Sequence, residues 1–413
     1  MLIRRSIFAL ASCCCAAAYA QVADTGTPSV SFSGFGTLGV VHSSERRADF
    51  IASYLKPNGA GFTHAWSTDV DSRLAGQVSA HANSQLSAVV QIMCEQLYDN
   101  TYRPHVEWAN LKYELTPDFR IRVGRIVLPS FMFSDTRKVG YANPWVRPPV
   151  EVYNLVPIAN SDGVDASYEI HWRGIDNTFT VTYGRSSPPL PAKPGGTAYG
   201  KRMWLLSDTI DYGAASVHLT YQDVRVSVPS LNGLFDALRN FGPQGIALAD
   251  RYDQTDKVAR FFGVGAQFDP GDWFVMSEWG RTNYHSALGA STAWYASGGY
   301  RWMKLTPYLT YSEVRANSNT HDPGLSLSAL PPSLAQAATE LNVGLNYILS
   351  SISIQNTVSV GVRWDVLRNV ALKVQYDHSR RGAGSPGTLI NLQPDFRPGG
   401  AMNLFSATID FVL

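Results

Sequence analysis

The sequence predicts an all-β fold, a transmembrane antiparallel β-barrel of 16 strands with short turns at one end and long loops at the other. Three observations predict it. Apolar and polar residues alternate with period two over segments of roughly ten residues, the length of a tilted membrane strand. No stretch beyond residue 20 approaches the roughly 18 consecutive apolar residues of a helical span. Connections between the segments alternate sharply between tight and long. The chain has 413 residues, 34 Lys+Arg against 33 Asp+Glu, 16% charged and 12% aromatic residues. So small a net charge disfavours nucleic acid as a partner, and the aromatic content excludes intrinsic disorder. Length alone would suggest two or three soluble domains, but the alternation overrides that default.

Residues 1–20 read as a secretory signal peptide. Arg4 and Arg5 precede the apolar run Ser6–Ala18, and Ala18-Tyr19-Ala20 gives an A-x-A cleavage pattern. The alternative, lipid attachment at Cys13 after Leu10-Ala11-Ser12, shortens the apolar region to about seven residues. Removing residues 1–20 leaves 32 basic against 33 acidic residues, and Cys94 alone of the four cysteines. Neither an internal disulfide nor a cysteine metal site is then expected. Residues 21–413 form one barrel domain.

In order, the expected strands are Ser29–Val41, Arg73–Ala82, Leu86–Gln96, Val106–Glu114, Phe119–Leu128, Gly163–Trp172, Thr178–Gly184, Lys201–Asp208, Gly213–Arg225, Val258–Phe268, Trp273–Arg281, Ala293–Trp302, Lys304–Val314, Thr357–Asp365, Val370–Ser379 and Asn403–Leu413. The sixth is typical. Val164, Ala166, Tyr168, Ile170 and Trp172 face one way, and Asp165, Ser167, Glu169, His171 and Arg173 the other. Val358, Val360, Val362 and Trp364 repeat the pattern, as do Val370, Leu372, Val374 and Tyr376. Thr116-Pro117-Asp118, Asp269–Asp272 and Leu367-Arg368-Asn369 are tight turns, whereas 129–162, 226–257 and 316–355 are long loops. Leu334, Ala338, Leu341, Leu345 and Ile348 fall at helical spacing after Pro331-Pro332-Ser333, so 333–349 is a loop helix, not a seventeenth strand. A similar element follows Pro229-Ser230, near 230–240. Ordinary loop packing is the expectation for both, with folding into the pore mouth as the alternative.

A soluble sandwich also alternates. Strand length, aromatics at the apolar ends (Trp172, Trp302, Tyr221, Trp364) and the export signal favour the membrane barrel. Phe405, Ala407, Ile409, Phe411 and Leu413 make an apolar face running to the last residue. It resembles the C-terminal strand of Gram-negative outer-membrane proteins, with Leu413 where such strands most often end in Phe.

On these features, together with Val123-Gly124-Arg125, Val358–Trp364 and the long loop after strand five, the chain resembles the general-diffusion outer-membrane porins of proteobacteria. The resemblance implies a homotrimer embedded in outer-membrane lipid, each subunit carrying a water-filled channel for small hydrophilic solutes and ions. It also implies that loop 129–162 folds inward as a constriction. The loop residues placed there are Asp135, Arg137, Lys138, Arg147 and Glu151. With Asp162 they balance in charge, so a simple ion preference is not expected and non-selective diffusion is the default. A channel selective for phosphate, dicarboxylate or sugar is the alternative. Candidate wall residues are Arg73, Arg120 and Arg122 with Glu107, because charges matter most where a pore is narrow. The first strand starts soon after the cleavage site, leaving no room for a plug.

Enzymatic chemistry is not expected. The nine histidines are scattered, no pair has metal-ligand spacing, and neither a Gly-rich phosphate loop nor G-x-S-x-G occurs. No cofactor or metal is predicted. Adhesion or assembly without a pore is the remaining rival, disfavoured because a barrel this wide encloses water unless plugged.

Overall fold

The computed structural model describes residues 28–413 except 193, 194 and 329; the signal-peptide reading lies outside the described residues. The barrel strands are β1 (Ser29–Ser43), β2 (Arg73–His81), β3 (Leu86–Glu95), β4 (His105–Thr116), β5 (Phe119–Val127), β6 (Asn160–Trp172), β7 (Ile175–Ser186), β8 (Tyr199–Tyr212), β9 (Ala215–Ser227), β10 (Lys257–Phe268), β11 (Trp273–Tyr284), β12 (Ser291–Tyr300), β13 (Leu305–Ala316), β14 (Gln355–Leu367), β15 (Val370–Arg381) and β16 (Gly400–Val412). Each pairs antiparallel with its chain neighbours. β1 closes the cylinder by pairing with β2 through Ser29–Thr37 and with β16 through Phe35–Ser43. Full closure leaves no barrel edge unpaired, which a membrane requires.

The short turns follow local chemistry. β6 and β7 are joined by Arg173 and Gly174, both at positive φ (50° and 82°), the backbone of a two-residue hairpin whose twist matches the strands. That turn extends β7 back to Ile175, earlier than the period alone indicates. Trp302 belongs not to β12 but to the following turn, where it bridges Leu305.

Outward positions carry the expected lipid-facing band, with Phe32, Leu38, Leu111, Val123, Leu309 and Val360 all exposed. Apolar side chains are not confined to this band. Met203, Leu205, Phe261, Phe274, Met276, Tyr295 and Tyr308 point into the barrel and are buried with Leu128, Phe131, Trp145, Val152 and Tyr153. The long loop after β5 supplies these last five residues, and they need an apolar wall to pack against.

Other loops cap the same end. Asp49–Phe50, Ala60–Gly61 and Leu389–Ile390 form a small sheet linking the first and last long loops. Loop helices α1 (Val150–Tyr153), α2 (Asn232–Arg239), α3 (Gly242–Tyr252) and α4 (Pro332–Ser350) follow. α2 and α4 match the expected helices, and α3, opening with Pro243 in its first turn, is additional. They pack together through Phe235, Leu238, Leu248, Leu345 and Leu349.

Candidate functional site

Loop 128–159 crosses the barrel and is fastened to strands around most of its circumference. Trp145, 1% exposed, donates from Nε1 to Ser297 Oγ at 2.9 Å and packs edge-on against Tyr295. Glu278 of β11 accepts from Met132 N–H (2.8 Å) and from Tyr153 Oη (2.7 Å). Glu151 in α1 accepts from Ser312 Oγ, Gln355 Nε2 and Thr357 Oγ1 at 2.8, 2.7 and 2.5 Å. Lys373 Nζ donates to the carbonyls of Gly140 (2.6 Å) and Trp145 (2.7 Å) while lying 3.0 Å from Asp410. At Gly140 a Cβ would stand 2.1 Å from Asp410 Oδ1, so only glycine lets the loop approach this pair.

Filling the β8–β13 side pushes the open space off centre. A cavity of about 410 Å³ lies between the loop and the β2–β7 wall, lined by Lys56, Arg73, Glu95, His105, Glu107, Arg137, Lys138, Arg185 and neighbours. Basic groups dominate it. Lys138 Nζ bridges Glu95 (2.8 Å) and Glu107 (2.9 Å), and Lys56 adds a second contact to Glu95 at 3.0 Å. Burial pulls the Lys138 pKa down, but Glu107 and Glu95 outweigh it and hold the ammonium above its usual range. Arg73 donates to the Asp71 carbonyl, and Arg137 to those of Val156 and Ile158. Arg73 stands opposite Glu95 across the β2–β3 ladder, and Arg137 lies over the Tyr153 ring, so Lys56, Arg73, Arg137 and Lys138 together outnumber Glu95 and Glu107 at the cavity wall.

The candidate residues separate into three roles. Arg73, Glu107, Arg137 and Lys138 meet at the cavity. Arg147 and Glu151 are buried, 6% and 3% exposed, and act as anchors. Arg147 grips Asp71 bidentately (2.9 and 2.6 Å) and reaches Ser406 Oγ at 2.7 Å. Arg120, Arg122 and Asp135 form a third group. Arg122 pairs bidentately with Asp165 directly across the β5–β6 ladder, and Arg120 with Glu169. Asp135 lies within electrostatic range of Arg122 and Arg120. Asp162 belongs to β6, not the loop, and pairs with Arg125.

Sequence reasoning missed Lys56, Glu95 and Glu278. Glu95 and Glu107 become neighbours only through the β3–β4 register, which no linear spacing reveals. With His105 they form a compact triad, but Lys138 already occupies both carboxylates. Among hydroxyl–histidine contacts of the described residues, Thr209 meets His218 at 3.0 Å, and the other ring nitrogen faces the Pro129 carbonyl rather than a carboxylate.

A closed sixteen-stranded barrel with an apolar outer band, polar and charged inner positions and an inward-folded loop is an outer-membrane β-barrel of the porin fold. No family profile matches the sequence, and no curated protein matches it either. Solved structures do. The anion-selective porin from Comamonas acidovorans superposes with a TM-score of 0.53 at 11% identity, covering 94% of this chain and 100% of that one. The outer membrane channel DcaP of Acinetobacter baumannii gives 0.53 at 12% identity, covering 94% and 98%. OmpT of Vibrio cholerae, described in a trimer form, gives 0.52 at 13% identity, covering 94% and 100%. At these identities the likeness defines the fold.

Proposed function

We propose that the protein is a passive outer-membrane channel for small hydrophilic solutes and ions, with a preference for anions set at the off-centre cavity. The observation that carries this reading is the excess of basic groups at the cavity, where Lys56, Arg73, Arg137 and Lys138 outnumber Glu95 and Glu107 on the open side of an anchored loop. In a narrow passage of reduced dielectric, such an excess raises the local anion concentration and repels cations. The balanced charge of the loop in sequence is no guide, because Arg147 and Glu151 are withdrawn into anchors. Loss of residues 1–20 on export and assembly as a homotrimer complete the proposal. The trimer form of the Vibrio cholerae neighbour supports the latter.

Reversal potential across a planar bilayer under a potassium chloride gradient tests the preference. The expected sign is that of an anion-preferring pore. A clear cation preference would overturn it.

A further inference from the structure

The lipid-facing side of the barrel carries a carboxylate where its apolar band calls for none. On β8 the outward positions read Trp204, Leu206, Asp208, Ile210 and Tyr212. Trp204 and Tyr212 are exposed and belong to the two aromatic rows that flank the band, as Phe262 and Phe268 do on β10 and Trp279 and Trp273 on β11. Asp208 stands midway between Trp204 and Tyr212 in the strand, about 13 Å along it from each. It therefore falls in the middle of the hydrocarbon layer. Phe179 lies opposite it on β7 and Leu219 opposite it on β9. Its hydrogen-bond partner is Asn177 of β7, whose Nδ2 donates to Asp208 Oδ1 at 2.6 Å and to the Thr209 carbonyl at 3.3 Å.

We infer that the β7–β8 face docks a membrane-embedded segment of another protein, one that presents a lysine or arginine at mid-depth. A carboxylate facing hydrocarbon is costly, and one amide does not replace the water it gives up. Lipid headgroups stop at the aromatic rows, so their amines and bound cations do not reach Asp208. Charge complementarity therefore points to a cation carried by protein. A second copy does not supply it. Outward arginines of the described residues stand beyond the long-loop aromatic row, Arg185 past Tyr183, Arg260 past Phe262, Arg281 past Trp279 and Arg380 past Tyr376. A copy laid alongside in the same membrane brings no cation to the depth of Asp208. Phe179, Leu206, Ile210 and Leu219, all exposed around the carboxylate, supply the apolar remainder of the contact. The inference rests on the chain being a membrane barrel and is independent of conduction.

The test uses the purified full barrel in phosphatidylcholine vesicles. The probe is a leucine–alanine transmembrane peptide of about 20 residues with one central lysine and a fluorophore that accepts energy from tryptophan. Its twin has leucine in place of that lysine. Association is read as energy transfer from the barrel's tryptophans. The lysine peptide should bind the parent barrel, and Asp208→Asn should weaken that binding about tenfold, the scale of one polar contact inside a bilayer. The leucine peptide should bind neither. Asn177→Val combined with Asp208→Leu should raise the thermal unfolding midpoint of the isolated barrel, because a polar pair leaves the lipid. Equal binding of the lysine peptide to Asp208→Asn, or of the leucine peptide to the parent, would overturn the inference. A lowered midpoint in the double variant would make the pair a clasp between β7 and β8 and overturn it too. Cross-linking between copies through Leu206→Cys, without binding of the lysine peptide, would assign the face to a second copy instead.

Discussion

Arg137 shows how position decides what a charge does. Arg137 and Arg147 stand ten residues apart on one loop, yet one faces the cavity held by two carbonyls and the Tyr153 ring and the other is locked to Asp71. Arg137→Gln should lower the anion-to-cation permeability ratio roughly twofold to fivefold, the scale of one partly screened charge at close range. An unchanged reversal potential would place the selecting charge elsewhere. Lys138→Met acts more strongly, because it leaves Glu107 without its ammonium partner, and the pore should shift toward cations. The Lys138 contribution also has a definite pH window. Its raised pKa means the pairing is fully present below the ordinary lysine value and is lost only as pH climbs through the higher one. The Lys138 contribution should therefore stay flat from neutrality to about pH 9, whereas Lys56, whose ammonium burial pulls below its usual range, loses its charge first. A titration near pH 8 that survives Lys56→Met and vanishes in Lys138→Met would contradict the assignment.

At the scale of elements, the strands were legible because lipid outside and water inside impose opposite chemistries on successive residues. The bounds of β14 and β15 follow almost directly from Val358–Trp364 and Val370–Tyr376. The loop's seat was not legible from alternation, since β8 and β11 are apolar on both faces where the loop packs. The runs Met203–Leu206 and Trp273–Met276 carry that signal, as a break in period two rather than an instance of it. Ion pairs such as Lys138 with Glu95 needed the register of distant segments. The anchors make distinct predictions. Glu151→Ala strands three buried donors and should cost roughly 3 kcal/mol of loop anchorage, read as flickering conductance at unchanged barrel content by circular dichroism. Gly140→Ala should do the same by forcing the loop off the Lys373–Asp410 pair. Quiet, parent-like channels from both variants would show that the loop is held by other means.

For the whole molecule, one architecture reconciles near-neutral composition with a charged passage. Apolar residues serve both the lipid band and a packed half-lumen, so the conducting space is smaller than sixteen strands alone suggest. Truncating Trp145 to Ala, at about 3–5 kcal/mol for a large buried aromatic, should widen that space and raise unitary conductance while lowering thermal stability. A lower or equal conductance would contradict the filled-lumen description. Mass spectrometry of the exported protein should give a chain beginning near Gln21, and cross-linking in native membranes should yield trimers. The most direct test of the central claim is planar-bilayer recording of the purified, heat-modifiable protein. Discrete, stepwise conductance increases with an anion-preferring reversal potential are predicted. A correctly folded barrel that inserts and conducts nothing would contradict the channel function itself.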